Sequence, residues 1–188
     1  SVAVYYSNYG VLLQELGDLK GAKPMLEKAL FLAKKESGDN HVELAIRYSN
    51  LGVLFIEMVD YVEAKSMIEK ALEIVKREYE DDHPKVAICY SNLGFVLKGL
   101  EDFSGAEEMF VKALSFAKQT YKKNHPSIAI RSLNLGSVYL DMEDIKLALH
   151  YIQTAHEIFE NALGADHPNT KGAKKWLDHT QAQLNKNP

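Results

Sequence analysis

The chain has 188 residues and a formal net charge of −4 at pH 7. This charge provides no basic field for neutralising phosphates, so a nucleic-acid partner is not expected. The single cysteine, Cys89, excludes an internal disulfide, and no apolar run approaches the roughly 18 to 20 residues that span a bilayer. We therefore expect a cytoplasmic protein of the reducing intracellular compartment, with no membrane insertion.

The sequence repeats itself with a period of 42 residues. Two rows of identical residues keep this spacing without a shift: His41, His83, His125 and His167, and Asn8, Asn50, Asn92 and Asn134. A fixed period of this size is typical of a solenoid, in which each unit is too small to bury its own apolar face. We predict one domain over residues 1–188, with repeats 1–40, 41–82, 83–124 and 125–166 and a capping helix over 167–187. Because Ser1 aligns with Ser127, partway into a repeat, a fragment of a longer protein is expected.

Each repeat is predicted to contain two helices. In residues 86–97 of the third repeat, apolar side chains are three and four positions apart, which predicts an amphipathic helix A. After the short turn at residues 101–102, the same spacing over residues 103–116 predicts helix B. The short link favours an antiparallel hairpin.

The start of helix A has a capping signal. Asp82 is the expected N-cap, and Pro84 lies in the first turn, where a missing N–H has no cost. Asn124 and Asp166 precede His-Pro at the same place in their repeats.

Rows of small and large residues predict close helix crossings. A glycine inside a helix costs about 1 kcal/mol relative to alanine, so a row of glycines indicates that a neighbouring helix leaves no room for a methyl group. The large residues of the complementary rows are interpreted as core. The small rows are Gly10, Gly52, Gly94 and Gly136, Ala22, Ala64, Ala106 and Ala148, and Ala29, Ala71, Ala113 and Ala155. The large rows are Leu19, Tyr61, Phe103 and Ile145, and Leu26, Ile68, Phe110 and Ile152.

This pattern resembles the tetratricopeptide repeat, with Asn-Leu-Gly in helix A, Asp-Tyr or Asp-Phe after the turn, and alanine at two sites in helix B. The 42-residue unit with its Asp-His-Pro joint, seen at residues 163–168, is similar to the kinesin light chain type. Similar units occur in nephrocystin-like, clustered-mitochondria-like and many bacterial proteins. The resemblance covers the whole chain. It implies an all-α, right-handed superhelical solenoid of four antiparallel hairpins plus a C-terminal capping helix, with the A helices lining a concave groove.

The resemblance also indicates which residues would line the groove, namely helix A positions that packing does not use. An asparagine amide can donate and accept at once, which suits the backbone of an extended peptide, and related grooves imply this role for Asn50, Asn92 and Asn134. Alternatively, these asparagines bond a neighbouring helix, and the isoleucines pack between hairpins. The predicted groove residues are Asn8, Ile46, Arg47, Asn50, Val53, Glu57, Ile88, Asn92, Phe95, Lys98, Ile130, Arg131, Asn134, Ser137 and Asp141.

The expected groove has an apolar floor and walls of mixed charge. A carboxylate clamp would need lysine or arginine at the sites of Ile88 and Asn92. Kinesin light chains tend to place polar or basic residues where this chain has Ile46, Ile88 and Ile130, so their preference for acidic peptides is not expected here. Trp176 occupies the asparagine position of the last helix; it either closes the stack or anchors a ligand.

No metal, cofactor or catalytic set is predicted. Histidines in successive hairpins would lie some 15 to 20 Å apart, given interaxial distances of 8–10 Å, whereas a zinc ligand lies about 2 Å from its ion. Capping or packing at the helix joints is the expected role of the histidines, and Cys89 is expected to be an inert packing thiol. The predicted function is a non-catalytic, adaptor-like scaffold that binds a peptide or helical segment of a protein partner. The alternatives are a spacer that self-associates through its repeat ends and a regulatory region of a larger enzyme.

Overall fold

The computed structural model of the protein describes residues 1–37, 42–80 and 83–186. These residues form nine helices and no strand, which confirms the predicted all-α class. The helices are α1 Val2–Glu15, α2 Leu19–Ser37, α3 Val42–Glu57, α4 Tyr61–Glu78, α5 Pro84–Gly99, α6 Phe103–Thr120, α7 Pro126–Asp141, α8 Ile145–Leu163 and α9 Pro168–Lys186. They divide between two compact units, Ser1–Asp102 with α1 to α5 and Phe103–Pro188 with α6 to α9.

Helix hairpins build both units. In the first unit, α1 packs on α2 and α3 on α4, while α2 and α4 each also pack on the helix that follows the hairpin. The A helices α1, α3 and α5 contact one another in sequence. In the second unit, α7 pairs with α8, α6 packs on α7, and α8 packs on α9. Each A helix that follows a B helix is thus covered by it on one side.

The small and large rows meet at the crossings within hairpins. A Cβ atom added to Gly10 would lie 2.7 Å from Leu26 Cδ2, and one added to Gly136 would lie 2.6 Å from Ile152 Cγ1. Both distances are shorter than side-chain carbons tolerate. Leu26 and Ile152 are buried, as are all the alanines of the small rows. The prediction that a neighbouring helix leaves no room for a methyl group is confirmed at these crossings.

The turn from helix A to helix B contains one residue in the left-handed conformation. Gly17 has a φ of 81°, and the residues at the same repeat position, Val59, Glu101 and Glu143, have φ values of 61°, 62° and 59°. Glycine adopts this conformation without strain, whereas a β-branched valine is unfavourable in it. The turn geometry therefore recurs even where the residue type opposes it.

Three histidines of the repeat act as acceptors at the starts of A-type helices. The predicted capping role of the histidines is confirmed at these positions, because the Nδ1 atom of each ring accepts a hydrogen bond from the backbone N–H two residues later. The donor–acceptor pairs are Lys85 N to His83 (3.2 Å), Ser127 N to His125 (3.2 Å) and Asn169 N to His167 (3.1 Å).

Stacked tyrosines hold two of these imidazoles. The ring of Tyr79 lies 3.7 Å from that of His83, and the ring of Tyr121 lies 4.1 Å from that of His125, measured between centroids. The prediction that the preceding polar residue caps helix A is wrong for α7, since His125 rather than Asn124 is its N-cap. His41 and Asp82 lie outside the described residues.

Replacing His83 with alanine is expected to lower the free energy of unfolding by about 1 kcal/mol, because the N–H of Lys85 loses its acceptor. His83→Asn is expected to lose less, since an asparagine oxygen can accept the same bond. Urea unfolding followed by circular dichroism measures both variants. Equal losses for alanine and asparagine would show that ring stacking, not capping, gives His83 its effect.

Candidate peptide-binding face

An open stripe of side chains runs along α1, α3 and α5 in the first unit. Three large apolar residues on it are exposed: Ile46 at 42 %, Ile88 at 50 % and Phe95 at 40 %. Neither isoleucine is therefore buried between hairpins. Because consecutive A helices contact one another, these side chains lie on neighbouring helices of one surface. The described residues of the open stripe are Val4, Asn8, Val11, Ile46, Asn50, Val53, Ile88, Asn92 and Phe95.

The stripe asparagines link consecutive A helices. Asn50 Nδ2 donates to Ser7 Oγ at 3.1 Å, and Asn92 Nδ2 donates to Ser49 Oγ at 3.4 Å. Ser7 and Ser49 occupy the same position in successive repeats, so the bond recurs with the period. The alternative role, a bond to a neighbouring helix, thus holds for the amide nitrogens of Asn50 and Asn92. The Oδ1 atoms of Asn50 and Asn92 accept no hydrogen bond from the residues that the structure describes, and remain as acceptors.

A pocket of about 200 Å³ opens between α3 and α5. Its lining is mainly aliphatic, with one cation at Lys85, whose Nζ donates to Tyr79 Oη at 3.0 Å. Ser49 and Lys85 were not among the residues predicted from the sequence, although Lys85 precedes Ile88 by three positions and so shares its helix face. The lining residues are Ala45, Ile46, Ser49, Asn50, Val75, Lys85, Ile88 and Cys89.

The turn-proximal end of the stripe is polar. Gln14 Nε2 on α1 donates to Glu57 Oε1 on α3 at 2.8 Å, which joins the C-terminal ends of the two helices. Glu57 is exposed and Lys98 is half-buried. Charges of both signs therefore border the apolar part of the stripe.

Two predicted groove residues are buried instead. Arg47 is 7 % exposed, and its Nη1 lies 3.4 Å from Ser7 Oγ, so it packs between α3 and α1 and offers no charge to the stripe. Ser137 is also 7 % exposed and donates to the backbone oxygen of Asn134 at 2.8 Å. Arg47 lies one position beyond Ile46, on the side that faces α1. Ser137 has the repeat position of Val53 and Phe95 but is buried.

The second unit presents the same positions on α7. Ile130 is 46 % exposed, Asn134 is half-buried and Asp141 is exposed. Arg131 Nη1 donates to the Ser127 oxygen at 3.2 Å, and burial lowers the pKa of this guanidinium below its usual value. On α9, Trp176 remains 44 % exposed. A large aromatic surface is thus accessible at the asparagine position of this helix.

The described residues contain no cluster of three or more histidine, cysteine, aspartate or glutamate side chains that could hold a metal ion. None of the helices in this part of the chain has the length and apolar content needed to cross a bilayer. Cys89 is 3 % exposed, in agreement with the predicted packing role, and burial raises the pKa of its thiol to about 11.

The buried thiol is expected to make stability fall as pH rises from about 9 to about 11. In this range Cys89 ionises in the unfolded chain but stays protonated in the folded one, so the unfolded state gains stability by at most about 1.4 kcal/mol per pH unit. Urea unfolding at several pH values should give a steeper decline for the wild type than for Cys89→Ala. Parallel declines would show that other groups cause the loss.

Two family models described as tetratricopeptide repeat match the chain, one over residues 1–65 and 48–119 and the other over residues 132–169. The chain belongs to the tetratricopeptide repeat family. No curated protein matches the sequence.

Solved structures with this fold include tetratricopeptide-like repeats of the kinesin light chain type. A Podosopora anserina protein assigned as a kinesin light chain, with nearly identical TPR-like repeats, has a TM-score of 0.83 at 16 % identity, over 97 % of this chain and 86 % of its own. BtubC (BKLC) from P. vanneervenii has a TM-score of 0.75 at 24 % identity, over 96 % and 76 % of the two chains. A Rap protein complexed with Competence and Sporulation Factor has a TM-score of 0.80 at 18 % identity, over 98 % and 49 %.

These matches confirm the predicted tetratricopeptide array of the kinesin light chain-like type. They place the chain among all-α repeat solenoids that serve as protein–protein interaction scaffolds, and they indicate no catalytic family.

Proposed function

We propose that the tetratricopeptide array binds an extended segment of a protein partner along the open stripe of α1, α3 and α5, and so acts as an adaptor. The observation that carries this proposal is the joint exposure of Ile46, Ile88 and Phe95 on one surface. Large apolar side chains exposed together are typical of a binding surface. Each contributes roughly 1.5–3 kcal/mol if a partner buries it fully.

The side-chain oxygens of the stripe asparagines add directed hydrogen bonds to the apolar contacts. Asn50 and Asn92 are held by Ser7 and Ser49 through their amide nitrogens, which orients their oxygens without consuming them. Backbone N–H groups of an extended segment are suitable donors for such oxygens. The pocket between α3 and α5 would take an apolar side chain of that segment, with Lys85 at its edge.

The complex of a Rap protein with Competence and Sporulation Factor supports this proposal by analogy of fold. At 18 % identity the likeness carries no information on which residues bind or on the identity of the partner. The chemistry of the stripe is therefore the main support.

Asn92→Ala combined with Phe95→Ala is expected to weaken partner binding by at least tenfold, because an acceptor and an apolar contact are removed together. The partner is first captured from the native cell with the intact array, and its dissociation constant is then measured by isothermal titration calorimetry. Circular dichroism confirms that the variant is folded.

Ser49→Ala is the matched control for the asparagine. It removes the bond that positions Asn92 but leaves the amide on the surface. If the asparagine contacts the partner, Asn92→Ala should weaken binding more than Ser49→Ala. Undiminished affinity of the double variant for the partner would show that the open stripe does not bind it.

A further inference from the structure

The fourth repeat lacks a tyrosine that the first three repeats have in helix A. Tyr6, Tyr48 and Tyr90 are 42 residues apart, and the next position of this row is Ser132 on α7. The Ser132 side chain is 1 % exposed, and its Oγ atom has no hydrogen-bond partner among the described residues. Because serine has neither the ring nor the terminal hydroxyl of tyrosine, α7 itself supplies no ring at this position.

In the first unit, lysines of the neighbouring B helices contact the tyrosine of this row. Lys34 Nζ on α2 lies 5.4 Å from the ring centroid of Tyr48, and Lys70 Nζ on α4 lies 5.8 Å from it. Lys76 Nζ on α4 donates to Tyr90 Oη at 3.5 Å. The two tyrosines are buried. The ring of Tyr48 thus lies between the B helix that precedes it and the B helix that follows it.

A pocket of about 640 Å³ lies at the corresponding place in the second unit, between α6, α7 and α8. Lys118 on α6 and Thr154 on α8 line it, and their repeat positions are those of Lys34 and Lys70. The residues on its two sides therefore correspond to the neighbours of Tyr48. We call this space the α6–α8 pocket. Both B helices that border it belong to the described chain, as they do around Tyr48.

The lining of the α6–α8 pocket suits a phenol ring. Ile128 and Ile158 supply apolar surface, while Lys118 and Lys123 supply ammonium groups and Glu157 one carboxylate. An ammonium group attracts the face of an aromatic ring and can donate to a phenol oxygen, as the equivalent lysine does in the third repeat. The charges nearly balance, which suits an uncharged phenol better than a phosphate ester.

We infer that the α6–α8 pocket binds a tyrosine side chain of a protein partner, in the place that the chain's own tyrosine takes in the second and third repeats. The volume of about 640 Å³ exceeds that of one ring, so the backbone beside the ring can enter with it. This favours a tyrosine within a protein segment over a free phenol.

The α6–α8 pocket is separate from the proposed binding surface on α1, α3 and α5. On α7, Ser132 is two positions from Ile130 and from Asn134, so it lies on the opposite side of the helix from these two residues. The inference does not rest on the open stripe, and either site can fail without the other.

4-Methylphenol, which has the structure of the tyrosine side chain, is the probe for the α6–α8 pocket. In nitrogen–proton correlation spectra of the whole chain, the amide signals of Lys118, Ile128 and Thr154 are expected to shift and to saturate. The expected dissociation constant is on the order of 1–10 mM for so small a ligand. Toluene, which lacks the hydroxyl, should bind more weakly. Absence of saturable shifts at these amides would overturn the inference, and equal affinity for toluene would overturn the assignment to tyrosine.

Ser132→Tyr restores the tyrosine of the row and is expected to fill the pocket. The shifts caused by 4-methylphenol should then disappear, while the circular dichroism of the chain is retained. Lys118→Ala is expected to weaken binding of 4-methylphenol by roughly threefold to tenfold. Lys122→Ala, at an exposed lysine outside the lining, is the matched control and should bind like the wild type. Unchanged binding by folded Ser132→Tyr, or equal binding by the two lysine variants, would contradict the inference.

Two short peptides test whether the occupant belongs to a protein. Acetyl-Gly-Tyr-Gly-amide is expected to shift the same amide signals and to bind at least as tightly as 4-methylphenol, whereas acetyl-Gly-Ala-Gly-amide should not bind. Binding of 4-methylphenol without binding of the tyrosine peptide would overturn the assignment to a protein partner. The double variant Asn92→Ala and Phe95→Ala should retain this binding, so the two sites are tested separately.

Discussion

Replacing Ile152 with alanine is expected to lower the free energy of unfolding by about 2–5 kcal/mol. Ile152 is fully buried in α8 and fills the space that Gly136 of α7 leaves open. Removing its three terminal carbons loses their burial and leaves a cavity between the two helices. Chemical denaturation followed by circular dichroism measures the loss.

A second substitution shows whether this crossing depends on the pairing of a small with a large residue. Gly136→Ala alone is expected to destabilise the chain, although alanine favours a helix by about 1 kcal/mol, because its Cβ would lie 2.6 Å from Ile152 Cγ1. In the Ile152→Ala background the same methyl group has space and should be neutral or stabilising. The expected coupling energy is about 0.5–3 kcal/mol.

Gly172→Ala on α9 is the matched control, since a Cβ there would meet nothing within 4 Å. It should stabilise the chain through helix propensity alone. Additive effects of Gly136→Ala and Ile152→Ala would contradict a steric origin for the glycine row.

Ile88→Glu is expected to weaken partner binding by about tenfold to a hundredfold, because an apolar contact worth 1.5–3 kcal/mol becomes a charge that must be desolvated. Ile88 is half exposed and lines the pocket between α3 and α5 with Ile46. The substitution replaces an exposed side chain, so the free energy of unfolding should change little. Titration calorimetry with the captured partner measures the effect.

Val62→Glu on α4 controls for the added charge, because Val62 is 70 % exposed and lies away from the open stripe. Its affinity for the partner should match that of the wild type. If Ile88→Glu and Val62→Glu bind equally well, the pocket is not part of the binding site.

The helices and the core were predictable because they depend on local periodicity. Apolar residues at spacings of three and four specify which side of a helix is buried, whichever helix covers it. The rows through Gly136 and Ile152 then indicate the crossings, since a glycine kept at one helical position in successive repeats marks a place where a neighbouring side chain needs the space.

The N-caps were predicted less well. Asp82 and Asn124 are the usual residue types for this position, and general preference favours them over histidine. In α5 and α7 the extended backbone of His83 and His125 brings Nδ1 to the N–H two residues later, while a tyrosine four positions earlier holds the ring. The spacing of four residues from tyrosine to histidine can be read from the sequence. Whether the two rings stack depends on how the preceding helix ends.

The sequence by itself determined the repeat, the helix pairs and the residues that fill the crossings, because these follow from periodicity within one chain segment. Only the tertiary structure decided that Arg47 is buried beside Ser7 and that the asparagine nitrogens bond the preceding A helix. These outcomes depend on how closely successive A helices approach each other. A repeat pattern specifies which side of a helix is apolar, but the neighbouring helices determine how much of that side reaches solvent.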